Sequence, residues 1–351
     1  MRATLCPTAG FLPTFCRMTN DTMITVQQTA RPHGFPTPGH FAFVESPVPS
    51  PGPGTALVEN LQWSVDPYHR EAMDSDELWT LNAPMEGRTL GRVLDSRTPS
   101  LRPGDLVLHR KGWRTHSLVA PDEVRPVPDF GPGVPLAAHL SLLGGTGLSA
   151  YVGLTRIARL EPGEDLFVSA AAGGVGTAAG RLARLLGAGR LVGSAGSARK
   201  VAYLTEEVGF DAAFDYHDGP VTELLAKAAP EGVDAVLEGV GGEHLEAAIA
   251  SLRDHGRIAW VGAVGQYHSL SAPPPAPRNL FDLVGKSIRL EGFLVRNHMD
   301  ALEELYDLAV PHLRSGALPL DVTVVEGFGH IVDAFLGMLR GENLGKMLVT
   351  A

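Results

Sequence analysis

The chain contains almost no cysteine. Only Cys6 and Cys16 occur among its 351 residues, so residues 17–351 are unable to form a disulfide framework or a cysteine-ligated metal site. The 13 histidines are not grouped with other ligand-type residues at metal-binding spacing, and we therefore expect no metal ion. So few cysteines are typical of a reducing compartment, and we expect a cytoplasmic location.

Basic charge and long apolar runs are also scarce. The chain has 29 Lys and Arg against 39 Asp and Glu, which gives a net charge of −10. Because nucleic acids and anionic membranes attract basic surfaces, we expect neither as a partner. No apolar run reaches the roughly 18 residues that a membrane-spanning helix requires. Hydrophobic residues still make up 44% of the chain, which is enough for the cores of two domains.

Residues 1–22 show no periodicity that would predict a helix or a strand. This segment is rich in proline and threonine. It has neither the continuous apolar stretch nor the small-residue cleavage site of a signal peptide. Because Met18 and Met23 are alternative start positions, we predict that residues 1–22 form a disordered tail or precede the true start of the protein.

The remaining sequence shows two kinds of pattern. Residues 24–142 contain short apolar runs between Pro/Gly clusters such as residues 47–54, which predicts a partly closed antiparallel barrel. From residue 154 onward, apolar strands alternate with helical stretches, which predicts a doubly wound parallel sheet. A strand–helix–strand pattern then ends at residues 346–349.

A glycine-rich turn follows the first strand of the alternating region. Residues 166–169 form a short apolar run, residues 170–176 supply the turn, and residues 177–186 are typical of an apolar helix. A second apolar run at residues 190–193 closes the unit. Strand, turn, helix and strand within about 30 residues are typical of a dinucleotide-binding βαβ unit. The sequence therefore predicts a cofactor site at this turn, the alternative being an ordinary tight turn of another α/β protein.

Three glycines of this unit have expected roles. We expect Gly173 to reverse the backbone at a positive φ, which glycine adopts without strain. Gly176 is expected to leave room for the cofactor's pyrophosphate beside the start of the helix, where free N–H groups favour an anion. Gly180, one helical turn later, is expected to let the helix pack close to the strand.

The residues after the second strand indicate which cofactor binds. NAD-selective enzymes place an acidic residue on the ribose 2′-OH, about 20 residues after the first glycine. Here no Asp or Glu lies between Gly173 and Glu206. Two hydroxyl residues and the cations Arg199 and Lys200 occupy this region, so we predict NADPH. The alternative is that both cations are solvated charges in the first turn of the next helix.

Further motifs along the chain occur in a recognisable order. They are residues 65–70, 147–154, 170–176, 195–197, 210–214, 261–264, 291–295 and 342–346. Together they resemble the medium-chain dehydrogenase/reductase superfamily over about residues 24–351. The resemblance is strongest to its zinc-free branch, which contains leukotriene B4 12-hydroxydehydrogenase/prostaglandin reductases, plant double-bond reductases and bacterial curcumin reductase.

The resemblance implies an α/β fold in which a Rossmann doubly wound parallel sheet is inserted in a GroES-like β-rich catalytic domain. The predicted domains are residues 149–314 for NADP binding, and residues 23–148 with 315–351 for the catalytic domain. Members of this branch use NADP(H) to reduce the C=C bond of α,β-unsaturated ketones and aldehydes. The expected partners are a small-molecule substrate and, at most, a second copy of the chain in a homodimer.

The resemblance also implies roles for individual residues. Lys200 and Tyr216 would hold the 2′-phosphate, Asn343 would contact the cofactor, and Tyr267 would stabilise an enolate near the substrate carbonyl. The full predicted cofactor set is Gly173, Gly174, Val175, Gly176, Gly196, Ser197, Lys200, Tyr216, Val261, Gly262, Tyr267, Phe293, Leu294, Val295 and Asn343.

Two tyrosines are the predicted catalytic residues. Without the zinc of the larger superfamily's alcohol dehydrogenases, the developing enolate must be stabilised by hydrogen bonds. Tyr267 follows a strand end of the parallel sheet, where ligands bind, and Tyr68 lies in a turn of the catalytic domain that is expected to face the cleft. Either residue is alternatively a wall of the cleft, with its ring packed and its hydroxyl in water.

The chain also departs from the family in places that bear on the substrate. Gly145 and Thr146 stand where the family has Met and Pro, which predicts a wider substrate cleft. Glu238-Gly239 replaces an Asp-Asn pair. A quinone reductase, a carbonyl reductase and a non-catalytic NADPH-binding protein therefore stay open as alternatives.

Overall fold

The computed structural model describes residues 22–267 and 276–351. The predicted tail, residues 1–22, lies outside these residues apart from Thr22. The strands are β1 Thr22–Gln28, β2 Phe41–Pro47, β3 Ala56–Ser64, β4 Thr89–Ser96, β5 Leu106–His109, β6 His116–Val119, β7 Val124–Pro126, β8 Leu166–Val168, β9 Leu191–Ala195, β10 Ala212–Asp215, β11 Val233–Glu238, β12 Leu252–Trp260, β13 Arg289–Gly292, β14 Val322–Glu326 and β15 Lys346–Thr350. The helices are α1 Tyr68–Ala72, α2 Gly145–Val152, α3 Gly174–Leu185, α4 Ala198–Tyr203, α5 Val221–Ala228, α6 Gly242–Ser251, α7 Asp282–Gly285, α8 Leu302–Arg314 and α9 Ile331–Leu339.

One sheet consists of six parallel strands in the order β10-β9-β8-β11-β12-β13. Its central strand β8 is fully buried, because Leu166, Phe167 and Val168 have no exposed surface. Such continuous apolar burial is typical of a parallel strand covered on both faces. The strand order reverses between β8 and β11, and ligands of doubly wound sheets bind at this reversal, beyond the carboxyl ends of the strands.

The second sheet is β-rich and mostly antiparallel. Its order is β14-β15-β3-β4-β5-β7, with β6 paired to β3, while β1 and β2 form a separate antiparallel pair. Strands β14 and β15 pair in parallel and come from the end of the chain. The chain therefore builds part of this sheet, then the whole parallel sheet, and then returns. This arrangement confirms the predicted fold class of a Rossmann sheet inserted in a GroES-like domain.

Backbone contacts join the glycine-rich turn to the last strand of the β-rich sheet. Gly173 forms a parallel bridge with Gly345, and the N–H of Gly345 donates to the carbonyl of Ala172 at 2.9 Å. The next residue, Lys346, is buried and pairs with Asp66 at 3.2 Å between Nζ and Oδ1. Burial lowers the pKa of Lys346 to about 8, although Asp66 opposes the shift. Lys346 thus ties the turn before α1 to the glycine-rich turn.

Element boundaries differ from the sequence-based ones by a few residues. The helix predicted at residues 177–186 begins at Gly174, because the helix includes part of the glycine-rich turn. The predicted domain boundary after residue 148 falls inside α2, and the exact division into domains stays a prediction. Within residues 22–267 and 276–351, no helix is both long and apolar enough to cross a membrane.

Candidate active site

The glycine-rich turn reverses at a different residue from the one predicted. Gly173 has φ −84° and ψ 175°, which is an extended conformation. The prediction of a positive φ at Gly173 is therefore wrong. The left-handed residue is Ala170, with φ 47°. The turn closes early because the N–H of Gly173 donates to the carbonyl of Ala170 at 3.0 Å. The chain therefore reverses directly after β8, and Gly173 leads straight into the helix.

The space beside two further glycines is filled by protein. A Cβ atom on Gly176 would lie 2.5 Å from the Cα of Ala171. The space beside Gly176 is thus taken by the protein's own backbone, and the prediction that it leaves room for a pyrophosphate is wrong. Gly176 instead lets the first helical turn pack on the backbone that precedes it. A Cβ atom on Gly180 would collide with the ring of Phe210. Gly180 therefore makes room for that ring beside the helix.

The start of α3 offers backbone N–H donors to an anion. The N–H of Thr177 donates to the carbonyl of Gly173 at 2.9 Å. The N–H groups of Gly174, Val175 and Gly176 precede it and have no carbonyl one turn back within the helix. The side chain of Val175 is partly buried against the core. Three donors at the positive end of a 12-residue helix fit a pyrophosphate.

Asn343 lies beside this turn. Its side chain is buried, and its Nδ2 donates to the carbonyl of Gly345 at 2.7 Å. Because Gly345 is itself bonded to Ala172, the structure brings Asn343 and the glycine-rich turn together. Among residues 22–267 and 276–351, no donor is bonded to the amide oxygen of Asn343, so this oxygen is able to accept a hydrogen bond from the cofactor.

The corner beyond β9 brings together the residues expected at the 2′-phosphate. A Cβ atom on Gly196 would lie 3.0 Å from Cε1 and from the hydroxyl of Tyr216, so the tyrosine ring packs directly on the glycine. Ser197 caps α4, and its hydroxyl accepts a hydrogen bond from the N–H of Lys200 at 3.3 Å. His244, which the sequence did not indicate, meets the Tyr216 ring edge-to-face at 5.3 Å between centroids.

Lys200 is a half-buried cation at this corner. Its Nζ lies 3.4 Å from where a Cβ atom on Gly341 would be, so the side chain reaches the segment that carries Asn343. Burial lowers the pKa of Lys200, and the charge of Arg199 lowers it further. A phosphate placed beside Lys200 would offset both effects, which makes the corner suitable for the 2′-phosphate.

A cleft of about 640 Å³ opens beyond the ends of β12 and β13. It is lined by predicted cofactor or catalytic residues together with side chains that the sequence did not single out. The lining consists of Glu71, Trp260, Val261, Gly262, Ala263, Gln266, Tyr267, Glu291, Gly292, Phe293, Leu294, Asn297 and His298. Val295 is absent from this lining and packs instead against the core.

Tyr267 is the phenol in the cleft lining formed by residues 22–267 and 276–351. It follows a short turn at residues 264–266, and its hydroxyl lies 3.6 Å from where a Cβ atom on Gly262 would be. Burial raises the pKa of Tyr267, and the charge of Glu71 raises it further. The phenol therefore stays protonated at neutral pH and is able to donate a hydrogen bond.

Tyr68 has hydrogen-bond partners of its own. Its hydroxyl accepts a hydrogen bond from Arg110 at 3.2 Å and faces Glu86 at 3.5 Å. Burial and the charges of Asp66 and Glu86 raise its pKa well above the ordinary value. Tyr68 is not among the residues that line the cleft. Glu71, which lies one helical turn later on α1, does line it.

The structure identifies residues that sequence motifs missed. Glu71, Gln266, Asn297 and His298 line the cleft. Glu71 belongs to the β-rich part of the chain and lines the same cleft as Tyr267 only because of the tertiary fold, so no local pattern could indicate it. The sequence predicted that Gly145 would widen the cleft. This prediction is wrong at that residue, because the guanidinium of Arg88 occupies the space beside Gly145.

Two family descriptions match the chain. Residues 25–127 match the N-terminal domain of oxidoreductase, and residues 174–310 match the zinc-binding dehydrogenase family. Within the described ranges 22–267 and 276–351, no three His, Cys, Asp or Glu side chains are arranged to hold a metal ion. The described residues therefore do not provide the zinc ligands that the name of the second family implies.

Curated relatives match almost the whole chain. NADPH-dependent curcumin reductase of Escherichia coli is 33% identical over 328 residues, which cover 91% of this chain and 94% of the relative. The NADP(+)-dependent 2-alkenal reductase of Nicotiana tabacum is 34% identical over 304 residues, 85% of this chain and 88% of the relative. The chain belongs to the zinc-free double-bond reductase branch of the medium-chain dehydrogenase/reductase superfamily.

A solved structure supports the cofactor of this reductase. CurA of Vibrio vulnificus, solved in complex with NADPH, has a TM-score of 0.86 to the present structure at 30% identity. The match covers 93% of this chain and 99% of CurA. The protein is an NADP(H)-dependent oxidoreductase, as the absence of an acid after β9 predicted.

The activity of this reductase is expected not to depend on a metal ion. Residues 17–351 contain no cysteine, and metal sites that lack a preformed ligand set bind weakly. Extensive dialysis against EDTA should therefore leave the rate of NADPH oxidation unchanged, while a zinc-dependent alcohol dehydrogenase treated in parallel loses activity. Stoichiometric zinc in elemental analysis, together with loss of activity on its removal, would contradict the prediction.

Proposed function

We propose that the protein reduces the C=C bond of α,β-unsaturated ketones and aldehydes. The observation that carries this proposal is the position of Tyr267, a protonated phenol that lines the same cleft as Val261, Gly262 and Phe293. Bound NADPH supplies a hydride for the β-carbon of the substrate. The names of the two relatives, curcumin reductase and 2-alkenal reductase, agree with this chemistry.

The chain's own residues would hold the cofactor at three points. The N–H groups at the start of α3 bind the pyrophosphate, and Lys200 and Tyr216 bind the 2′-phosphate. Asn343 contacts the cofactor beside the glycine-rich turn. Val261, Gly262, Phe293 and Leu294 form the cleft wall against which the nicotinamide end would lie, and Tyr267 lines the same cleft.

Tyr267 would act on the charge that develops during reduction. As the β-carbon is reduced, negative charge builds on the carbonyl oxygen, and a fixed donor stabilises that charge more than it stabilises the neutral substrate. Tyr267 donates this hydrogen bond, and the α-carbon then takes a proton from a donor or from water. Tyr68 is the second candidate donor, because it lies one helical turn before Glu71 on α1.

A substrate panel tests the proposal. NADPH oxidation is measured with an enone, a quinone and a simple ketone at equal concentrations, and the products are identified. We expect turnover of the enone to the saturated ketone. Turnover of the quinone or the ketone alone would assign the protein to another reductase class, and NADPH binding without any turnover would indicate a non-catalytic protein. A homodimer remains a prediction that sedimentation of the purified protein tests.

A further inference from the structure

The charged lining of the cleft is acidic. Glu71 and Glu291 are carboxylates of this lining, and no Lys or Arg belongs to the lining formed by the described residues. Glu291 is partly compensated, because Arg289 lies 3.9 Å away between Nε and Oε2. Glu71 has no ion-pair partner among residues 22–267 and 276–351. Its negative charge is therefore uncompensated within this part of the cleft.

The nearest arginine in sequence does not compensate Glu71. The side chain of Arg70 is 2% exposed and points into the protein, where it pairs with Asp74 at 2.7 Å. It also donates to the carbonyl of Gly34 at 2.8 Å. Because these partners hold the guanidinium inside, Arg70 is unable to turn toward the cleft. Glu71, by contrast, is exposed on the next position of α1 and lines the cleft.

The charge of Glu71 acts on the place where the substrate would bind. Glu71 comes from the β-rich part of the chain and Tyr267 from the end of the parallel sheet, and the two residues line one cleft. After burial, the charge of Glu71 also raises the pKa of the Tyr267 phenol, so Glu71 acts on the residue proposed to hold the carbonyl. A charged group elsewhere on the substrate would feel the same field.

We propose that Glu71 is a specificity-determining residue that makes the cleft select against enones carrying a carboxylate or a phosphate and favour neutral or cationic enones. This inference rests on the proposed function. Like charges several ångströms apart repel even in water, and a cleft wall of low dielectric strengthens that repulsion. Because Glu71 is exposed, salt screens part of this repulsion. We therefore expect a selectivity of about three- to tenfold for neutral over anionic enones.

The test uses three substrates with the same enone and the same chain length. The chain ends in a carboxylate, in its methyl ester, or in a trimethylammonium group. The value of kcat/KM is measured for each with the wild-type protein, with Glu71→Gln, and with Glu77→Gln. Glu77 is exposed and does not line the cleft, so it controls for a change in net charge alone.

We expect the ester-to-carboxylate ratio of kcat/KM to fall by about three- to tenfold in Glu71→Gln, and the trimethylammonium-to-ester ratio to fall as well. Both ratios should stay at wild-type values in Glu77→Gln. The difference should lie mainly in KM, because the charged group is remote from the reacting atoms. In the wild-type protein, the same ratios should move toward their Glu71→Gln values as ionic strength rises, since screening weakens the repulsion.

Equal ratios in the wild-type protein and Glu71→Gln would overturn the inference, as would the same change in Glu77→Gln. Ratios that differ but do not respond to salt would also overturn it, because they would indicate shape rather than charge. A wild-type protein that reduces none of the three enones would instead refute the proposed function itself. The NADPH dissociation constant of each variant, measured by fluorescence, separates substrate selection from an effect on the anionic cofactor.

Discussion

Lys200→Ala is expected to weaken NADPH binding by about 10- to 150-fold while leaving NADH binding nearly unchanged. The reason is that a charge-assisted hydrogen bond to the 2′-phosphate contributes roughly 1.5–3 kcal/mol, and NADH has no such phosphate. In the structure, Lys200 lies beside Ser197 at the end of β9, in the corner that Tyr216 closes. The measurement is a dissociation constant for each cofactor by quenching of protein fluorescence.

Lys227→Ala is the matched control for the loss of a positive charge, because Lys227 is an exposed residue of α5. It should leave both dissociation constants unchanged. An equal loss of affinity for NADPH and NADH in Lys200→Ala would contradict the placement of Lys200 at the 2′-phosphate. Such a result would mean that the lysine supports the fold of this corner instead.

Tyr267→Phe is expected to slow reduction of an enone by about 10- to 1000-fold. Loss of one oxyanion donor costs up to about 10²–10³ in rate, and water that enters an open cleft reduces the loss to roughly tenfold. The substitution keeps the ring and its packing, so NADPH affinity should hardly change. Single-turnover reduction, followed by the absorbance of NADPH, isolates the chemical step from product release.

Tyr68→Phe provides the comparison for Tyr267→Phe. Because the Tyr68 hydroxyl is bonded to Arg110 and lies outside the cleft lining, we expect its loss to have the smaller effect on the chemical step. An unchanged rate in Tyr267→Phe would move the oxyanion role to Tyr68, to the ribose 2′-OH or to a backbone amide. A fall in NADPH affinity would instead make Tyr267 a wall of the cofactor cleft.

The parts of the site that are local in sequence were predictable. The strand, the glycine-rich turn and α3 follow from apolar periodicity and glycine placement, which reflect backbone hydrogen bonding over short distances. The missing acid after β9 predicted NADP(H), because the residue on the ribose always lies at the end of the second strand. The fold class also followed, since alternating strands and helices have few ways to pack.

The details of the same turn were not predictable. Ala170 rather than Gly173 adopts the left-handed conformation, because the hydrogen bonds after β8 decide where the chain reverses. The space beside Gly176 belongs to Ala171. A glycine in a motif shows that something approaches closely, but the sequence does not say whether a ligand or the protein itself occupies that space.

The sequence by itself determined the fold class, the cofactor and the candidate residues that belong to one strand–turn–helix unit, because hydrogen bonding and periodicity act between near neighbours. The tertiary structure alone decided which distant residues share the cleft. Glu71 faces the site of Tyr267, Arg88 fills the space beside Gly145, and Lys346 joins Asp66. The first of these contacts joins the β-rich part of the chain to the end of the parallel sheet, and the other two join residues that are far apart in sequence. No pattern along the chain records such packing, because it acts between residues that only the folded chain brings together.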